Sequence, residues 1–257
     1  KYDLLNDSEK QEINNLKEYY QSIGITVVIN SEITKIKEIL KGKEVGLLGQ
    51  SGAGKSSLVN LIPRLYDATQ GEVLVDGVNV KKYDLKALRE MIGVVLQKNV
   101  LFSGTIEENI RWGKKDATHE EIVAACKAAQ ADSFINEQPD GYNTYLAQGG
   151  LNLSGGQKQR LCIARAMIKK PKILILDDST SAVDTATEAK IRESFYSDLK
   201  DTTVFIIAQR ISSVKDADEI LVVDDGKIKG VGNHDELIKT NEIYQEIYNT
   251  QQKGVLE

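Results

Sequence analysis

The chain has 257 residues, of which 41% are hydrophobic and 28% are charged, and its formal net charge is −5. This composition excludes a disordered or fibrous protein, and the length suits one domain with lobes. An acidic chain has no overall positive field to attract nucleic acid phosphates, so we expect no nucleic acid partner. Its apolar runs stay shorter than the roughly 18 residues that span a bilayer, so we expect a soluble chain whose membrane anchor, if it has one, lies elsewhere.

The cysteines and histidines are few and scattered. Cys126 and Cys162 form no C-x-x-C pair, which argues against a disulfide framework or structural zinc and favours a reducing compartment. His119 and His234 lie far apart in the sequence, so we assign them no metal site.

Residues 1–42 predict an α-β-α segment ahead of the main domain. Apolar residues recur at helical spacing within residues 8–22, after a capping serine. The β-branched run of residues 24–30 favours a buried strand, and residues 31–43 favour a second helix that ends near Gly42. We treat this opening as a divergent N-terminal segment of the domain, ahead of residues 43–257.

From Lys43 the sequence alternates between apolar strands and helical segments, which is typical of an α/β domain with a parallel sheet. Residues 104–140 are mostly helical and indicate an inserted lobe, so we place a helical subdomain at about residues 98–160. The predicted strands are EVGLLG, GEVLVDG, MIGVVLQ, KILILDD, TTVFIIA and EILVVDDG, and the first long helix is predicted at GKSSLVNLIPRLY.

The stretch GQSGAGKSS matches the phosphate-binding pattern G-x-x-x-x-G-K-[ST] between a strand and a helix. Its glycines let backbone N–H groups turn toward phosphate oxygens, and the start of the helix adds its positive dipole end. Lys55 is expected to reach the β and γ phosphates, and the Ser56 hydroxyl to bind Mg²⁺. The residues expected to contact the nucleotide are Gly49, Ser51, Gly52, Gly54, Lys55, Ser56 and Ser57.

Two further motifs are suited to phosphate or magnesium. ILILDD delivers Asp177 at the carboxyl end of an apolar strand, where the ligands of open α/β sheets gather, so Asp177 is expected to hold Mg²⁺ directly or through water. In LNLSGGQKQR, a serine and two glycines before a helix form a second group of backbone donors that suits a phosphate. Taken alone, that stretch is equally compatible with an ordinary helix cap.

Together these motifs resemble the nucleotide-binding domains of ATP-binding cassette (ABC) transporters, most closely those of exporters. The resemblance runs from about residue 42 to the C-terminus and rests on an ordered set: the phosphate loop, Gln97 in GVVLQKNVLFSGTIEENI, the signature LSGGQ, ILILDD, and SAVD ending at Asp184. It implies a P-loop NTPase (RecA-like) α/β core with a mainly parallel sheet, an inserted α-helical subdomain and an antiparallel β portion that is altered at the N-terminus.

The resemblance also implies that ATP and Mg²⁺ bind between two such domains arranged head to tail. Each ATP then lies between the phosphate loop of one domain and the signature of the other. Gln97 would meet Mg²⁺ and the attacking water, and Asp184 would cross the dimer interface. The signature residues are Ser154, Gly155, Gly156 and Gln157. The segment LFSGTIEENI and the helical lobe after it would face the transmembrane domains of an exporter, at the cytoplasmic face of the cell membrane.

Two catalytic positions depart from the family pattern. Hydrolytic members carry a glutamate where this chain has Asp178, and a switch histidine where it has Gln209. Aspartate is one methylene shorter than glutamate, and a positioning error near 1 Å can cost about a hundredfold in rate. Glutamine carries neither the charge nor the mobile proton of histidine. We therefore expect slow hydrolysis at the chain's own site.

A degenerate site beside an intact signature resembles one subunit of a heterodimeric exporter. Such a chain binds ATP at its own loop, while its LSGGQ completes the competent site of a partner. Two alternatives stay open: a homodimeric slow ATPase that uses Asp178, and a module whose ATP clamps a dimer without turnover. A soluble ABC protein acting on DNA or ribosomes would carry paired cassettes, a coiled-coil insertion or a basic face, which this acidic single cassette lacks.

Two more positions differ from the family. Gly24 falls near the place of the aromatic residue that stacks on adenine, and the nearby Tyr19 and Tyr20 are in a helical setting that favours core packing. Gln148 stands where exporters usually have a glutamate that senses the membrane domain, which predicts either altered coupling or a neutral surface substitution.

Overall fold

The computed structural model describes residues 42–69, 71–177 and 183–253. The predictions for residues 1–41, including the adenine candidates Tyr19 and Tyr20, fall outside the described residues, and so does Asp178. Within the described ranges, no helix is both long enough and apolar enough to cross a membrane.

The described strands and helices follow one another in the α/β manner. The strands are β1 Glu44–Leu48, β2 Leu74–Val75, β3 Val78–Asn79, β4 Ile92–Val95, β5 Gly104–Thr105, β6 Tyr145–Leu146, β7 Ile173–Asp177, β8 Thr203–Ala208, β9 Glu219–Asp224 and β10 Lys227–Gly232. The α-helices are α1 Lys55–Val59, α2 Leu85–Glu90, α3 Ile106–Arg111, α4 His119–Ala128, α5 Asp132–Asn136, α6 Gly155–Met167, α7 Thr185–Asp198, α8 His234–Thr240 and α9 Glu242–Lys253. Short 3₁₀ turns occupy Val80–Lys82, Gly141–Asn143, Gln148–Gly150 and Ile211–Ser213.

The described residues form two compact units, one of residues 42–83 with 208–253 and one of residues 84–207. In the first unit, β1 runs parallel to β9, and β10 pairs with β9 in the antiparallel direction. Every residue of β1 is buried. A largely apolar strand buried on both faces is typical of the interior of a parallel sheet, as the sequence predicted.

The first helix is shorter than its sequence pattern predicts. GKSSLVNLIPRLY was expected to be helical throughout, but α1 ends at Val59 and the chain continues in turns. Pro63 has no N–H, and inside a helix its ring would clash with the carbonyl of Val59, four residues earlier. The chain instead tightens to i→i+3 hydrogen bonds, such as the one that Ile62 N–H donates to Val59 O over 3.1 Å.

In the second unit, β7 lies between β4 and β8 and runs parallel to both. Val95 of β4 pairs with Leu176 of β7, and Leu176 also pairs with Ile206 of β8. Helix α6 contacts β4, and its buried side chains include Leu161, Ala164 and Met167, spaced to lie on one helical face. This packing fixes the start of α6 relative to the strands of the same unit.

The stretch that was predicted to be mostly helical contains α3, α4 and α5. Helices α3 and α4 each begin with a capping box, at Thr105 and Thr118, in which the threonine hydroxyl accepts from the N–H of a glutamate three residues later. Both helices contact α6. The reciprocal capping explains where these helices start, because it satisfies backbone N–H groups that have no partner inside the helix.

The predicted fold class is confirmed. Strands and helices alternate, and the longer strands pair mainly in parallel. The described antiparallel pairs are β9 with β10 and the short hairpins of β2 with β3 and β5 with β6.

Candidate functional site

The glycine-rich loop connects β1 to α1 in the first unit, and its first glycine has no room for a side chain. A Cβ added to Gly49 would lie 2.1 Å from the carbonyl oxygen of Val223, far closer than van der Waals contact allows. Gly52 and Gly54 have φ values of +84° and +98°, in the left-handed region that favours glycine. The loop is therefore held in its turn by glycine at each of these positions.

The turn between β9 and β10 packs against the same loop. Gly226 N–H donates a hydrogen bond of 3.0 Å to Ala53 O. A Cβ on Gly54 would come to 3.4 Å from the Gly226 Cα, which is ordinary contact distance. The hairpin thus supports the middle of the loop from within the first unit.

Lys55 is the most buried cation of the loop, with 6% of its surface exposed. Its Nζ donates to Gly49 O over 2.6 Å and to Gln50 O over 2.8 Å. The ammonium therefore lies within hydrogen-bonding distance of two carbonyls of the loop. Ser56 is half-buried at the start of α1, while Ser51 and Ser57 are exposed.

Asp177 and Gln97 belong to the second unit and follow neighbouring parallel strands. Asp177 ends β7 and is buried, with 9% of its surface exposed, and Gln97 follows β4 and is exposed. Since Val95 pairs with Leu176, both residues leave the sheet at the same carboxyl edge. Their oxygen atoms are of the kind that Mg²⁺ prefers, as is the hydroxyl of Ser56.

Ser154 begins α6 with a capping box. Its hydroxyl accepts from Gln157 N–H over 3.3 Å, and the Gln157 side-chain oxygen accepts from Ser154 N–H over 2.9 Å. Ser154 and Gly155 are exposed at the start of this helix. The helix cap that the sequence left open as an alternative is present at Ser154. It leaves other N–H groups of the first turn available to an anion.

Removing the Ser154 hydroxyl should destabilise the chain modestly. In Ser154→Ala the Gln157 N–H loses its acceptor, so the free energy of unfolding should fall by about 1 kcal/mol. Urea denaturation measures the change. Ser154→Thr keeps an acceptor and should remain within a few tenths of a kcal/mol of the parent. An alanine variant as stable as the threonine variant would show that the capping box contributes no stability.

The signature residues line an open pocket of about 430 Å³ together with the residues that precede α7. Its lining consists of Ser154, Gly155, Gly156, Arg160, Val183 and Asp184. Asp184 caps α7 and accepts from Thr187 N–H over 2.9 Å. Hydrogen bonds from Thr187 hold the pKa of the Asp184 carboxyl below its usual value. The second unit thus brings the predicted signature and Asp184 to one pocket.

Arg160 is a residue of this pocket to which the sequence analysis assigned no role. Its guanidinium donates to Gln130 O over 2.6 Å and lies 4.7 Å from the centre of the Phe134 ring. Burial lowers the pKa of Arg160. Its guanidinium also donates to Gly156 O over 3.4 Å within LNLSGGQKQR, but its contacts with Gln130 and Phe134 lie about 30 positions earlier in the chain, where no local pattern could indicate them.

Gln209 lies in the first unit, directly after β8, and is exposed. The backbone around it is held by the end of α9, because the Gln251 side chain donates to Gln209 O over 2.7 Å. Gln251 is the second residue that the sequence analysis missed. Gln148 is exposed in its 3₁₀ turn.

An aromatic pair is exposed in the second unit close to α3. Phe102 and Trp112 have ring centres 5.1 Å apart, and 45% and 68% of their respective surfaces are exposed. Asn109 holds the backbone of Phe102 by accepting from its N–H and donating to its C=O, both over 2.9 Å. The Arg165 guanidinium lies 5.7 Å from the Phe102 ring. A pair of large apolar rings fixed in this way is suited to contact another protein.

A parallel strand that leads into a glycine-built loop with a buried lysine defines a P-loop nucleotide-binding domain. Comparison with known proteins identifies the family to which the chain belongs within this class. Residues 37–181 match the family model described as ABC transporter. The chain therefore belongs to the ABC transporter family and is a nucleotide-binding domain of that family, homologous to those of exporters. Domains of this kind are ATPases.

Individual relatives agree with this assignment. "Uncharacterized ABC transporter ATP-binding protein YknU" of Bacillus subtilis (strain 168) is 50% identical over 218 residues, which are 85% of this chain and 37% of that protein. "ABC transporter B family member 2" of Dictyostelium discoideum is 45% identical over 238 residues, which are 91% of this chain and 17% of that protein. A solved structure of a bacterial Atm1-family ABC exporter with ATP bound has a TM-score of 0.80 at 40% identity, covering 82% of this chain and 37% of that one. The chain thus spans much less than half the length of these relatives.

Proposed function

We propose that this chain is the ATP-binding part of an ABC exporter and that its ATP lies between two such domains arranged head to tail. One observation carries the proposal: a single chain holds two separate phosphate-suited sites, the loop with the buried Lys55 and the exposed, capped start of α6. One nucleotide in one chain needs only the first of these. A head-to-tail dimer uses both, since the signature of each chain then closes over the nucleotide of the other.

Different residues of the chain contact different parts of the bound Mg-ATP in this proposal. The loop backbone between Gly49 and Gly54 and the Lys55 ammonium hold the phosphates, while the exposed start of α6 and Asp184 meet the partner's nucleotide. The oxygen donors that would hold Mg²⁺ are Ser56 in the first unit and Asp177 and Gln97 in the second. When bound, Mg²⁺ neutralises charge that develops on the phosphate oxygens. The buried Lys55 amine and a loop whose Gly52 and Gly54 adopt positive φ fit such a polyanion well.

At its own nucleotide the chain hydrolyses slowly. Asp178 and Gln209 replace the family's glutamate and histidine, while the signature is complete. This combination supports a heterodimer in which the chain binds ATP at its own phosphate loop, while its signature completes the hydrolytically competent site of the partner. Two alternatives would bind ATP in the same way and differ in their rate of ATP hydrolysis. One is a homodimeric slow ATPase that uses Asp178, and the other is an ATP-gated dimerisation module without turnover.

The partner on the membrane side is a pair of transmembrane domains at the cytoplasmic face of the membrane. Phe102, in the segment LFSGTIEENI, and Trp112, just after that segment, would provide an exposed apolar contact there. The relatives that the chain matches are much longer than it is, which leaves room for membrane-spanning parts in those proteins. Residues 43–257 would then form the ATP-binding domain, with its helical subdomain at about residues 98–160, and residues 1–42 would be its divergent N-terminal segment.

Mixing two defective variants tests the head-to-tail arrangement. Lys55→Met disables the phosphate loop, and Gly155→Asp places a carboxylate where the partner's phosphates would lie. An acidic residue in the first turn of α6 favours the helix dipole, so the second variant should stay folded. Neither variant alone should form dimers with Mg-ATP in sedimentation velocity, whereas an equimolar mixture should, because one of its two sites is intact.

Leu85→Asp is the matched control, since it adds the same exposed carboxylate to the first turn of α2. That variant should dimerise with Mg-ATP like the parent chain. If the parent dimerises with Mg-ATP but the mixture of defective variants dimerises no better than either variant alone, each nucleotide is bound within one chain and the head-to-tail proposal is wrong.

A further inference from the structure

The loop that carries Gln209 is held by a helix far away in the sequence. We define the switch loop as residues 209–213, which directly follow β8 in the chain. Ile211 is buried, and its N–H donates to Gln251 Oε1 over 2.9 Å. The Nε2 of the same side chain donates to Gln209 O over 2.7 Å. One amide group therefore satisfies a donor and an acceptor on the two sides of Arg210.

This double contact is specific for the amide of glutamine. A carboxylate could accept from Ile211 N–H but could not donate to Gln209 O, and an ammonium could do only the reverse. Both bonds reach backbone atoms, so they set the path of the chain at Gln209 and do not depend on its side chain.

The far end of α9 is anchored independently of the switch loop. Tyr244 is fully buried, and its hydroxyl lies 2.7 Å from Nδ1 of His234 at the start of α8. Asn241 donates to Lys229 O in β10 and accepts from Tyr244 N–H, each over 2.9 Å. Since its first turn is fixed to β10 and α8, α9 presents Gln251 at a defined place, two helical turns further on.

We infer that Gln251 is a positioning residue, which sets the backbone of the switch loop for the catalytic position 209. The inference rests on the proposed role of position 209 in ATP hydrolysis. Without the clamp, the loop loses two hydrogen bonds, and the side chain at position 209 would deviate from the geometry that hydrolysis needs. The C-terminal helix thereby acts on catalysis indirectly, through the backbone of the switch loop.

Hydrogen exchange tests the clamp without reference to activity. Gln251→Met keeps the length of the side chain and removes both bonds, so the Ile211 amide should exchange about tenfold faster. Gln251→Glu keeps the acceptor, so protection at Ile211 should be largely retained in that variant. Gln252→Met is the matched control, because Gln252 is the exposed neighbour on the same helix. Equal exchange in Gln251→Met and Gln252→Met would overturn the inference.

Turnover tests whether the clamp matters for catalysis. In a chain that carries Asp178→Glu and Gln209→His, adding Gln251→Met or Gln251→Glu should lower kcat about tenfold to a hundredfold, with KM for ATP and the melting temperature matching those of the Gln252→Met control. An unchanged kcat would overturn the positioning role. A fall in kcat that is accompanied by a fall in the melting temperature would overturn the positioning role as well, since it would show a general structural defect.

The two proposals fail in different ways. If the chain with Asp178→Glu and Gln209→His hydrolyses no faster than its parent, the proposal of a degenerate site is wrong. The exchange rate of the Ile211 amide then still decides whether Gln251 holds the switch loop.

Discussion

Replacing Asp178 with glutamate and Gln209 with histidine in one chain should raise its turnover of Mg-ATP by at least about a hundredfold. Glutamate restores the methylene that places the carboxylate against the attacking water. Moving a catalytic group by about 1 Å can change the rate about a hundredfold. Histidine restores a group that can carry charge and move a proton near neutral pH, which a carboxamide cannot do. Phosphate release, measured at saturating Mg-ATP across protein concentrations, gives kcat and shows whether it depends on dimerisation.

The single variants separate the two contributions. Asp178→Glu alone and Gln209→His alone should each give part of the increase, and Asp178→Asn should be slower than the parent if Asp178 has any residual activity. If the parent already turns over as fast as the double variant, the chain is a homodimeric ATPase that uses Asp178. If neither the parent nor the double variant turns over while both dimerise with ATP, an ATP-gated dimerisation module is the better description.

Lys55→Met should weaken the binding of Mg-ATP by about a hundredfold. The buried ammonium is positioned above Gly49 O and Gln50 O to meet a phosphate, and a hydrogen bond to a charged group contributes about 1.5–3 kcal/mol. At about 1.4 kcal/mol for each factor of ten, one such contact accounts for a change of this size. Methionine keeps the length of the side chain and much of its packing, but it removes the hydrogen bonds to Gly49 O and Gln50 O. Titration calorimetry with Mg-ATP measures the dissociation constant.

Lys239→Met provides the matched control, because Lys239 is an exposed lysine in the last turn of α8. It removes the same charge from the chain and should leave ATP affinity unchanged. Urea denaturation of both variants checks that each is folded. ATP affinity in Lys55→Met equal to that in Lys239→Met would mean that the glycine-rich loop is not the nucleotide site.

Motifs made of consecutive residues were accessible from the sequence. The phosphate loop combines glycines at positions that require them with a lysine at a fixed offset, and the structure gives the reason, since Gly49 has no space for a Cβ and Gly54 has a positive φ. Strands β7 and β8 were predicted because apolar runs buried on both faces have few other interpretations. The cap at Ser154 was also accessible, because a capping box spans only four residues.

Other features depended on residues that are distant in the chain. The clamp of Gln251 on the switch loop joins positions 40 and 42 residues apart, and Arg160 reaches back 30 residues to Gln130. Glutamine and arginine at these positions have no local signature, because exposed polar side chains on a helix are common whether or not they make such contacts. The sequence analysis did not predict the early end of α1, because it gave more weight to the helical pattern of GKSSLVNLIPRLY than to Pro63.

By itself the sequence determined the class of this protein, a P-loop α/β domain of the ABC family. It also predicts a complete signature and two altered catalytic positions. These properties depend on local backbone geometry, on the burial of apolar strands and on the identity of single side chains, all of which are encoded in short stretches. Only the tertiary structure decided which distant residues hold the catalytic loops, as Gln251 holds the switch loop and Gly226 supports the phosphate loop. Such contacts are set by how the strands and helices pack, and packing brings together residues whose separation in the chain leaves no periodic signal.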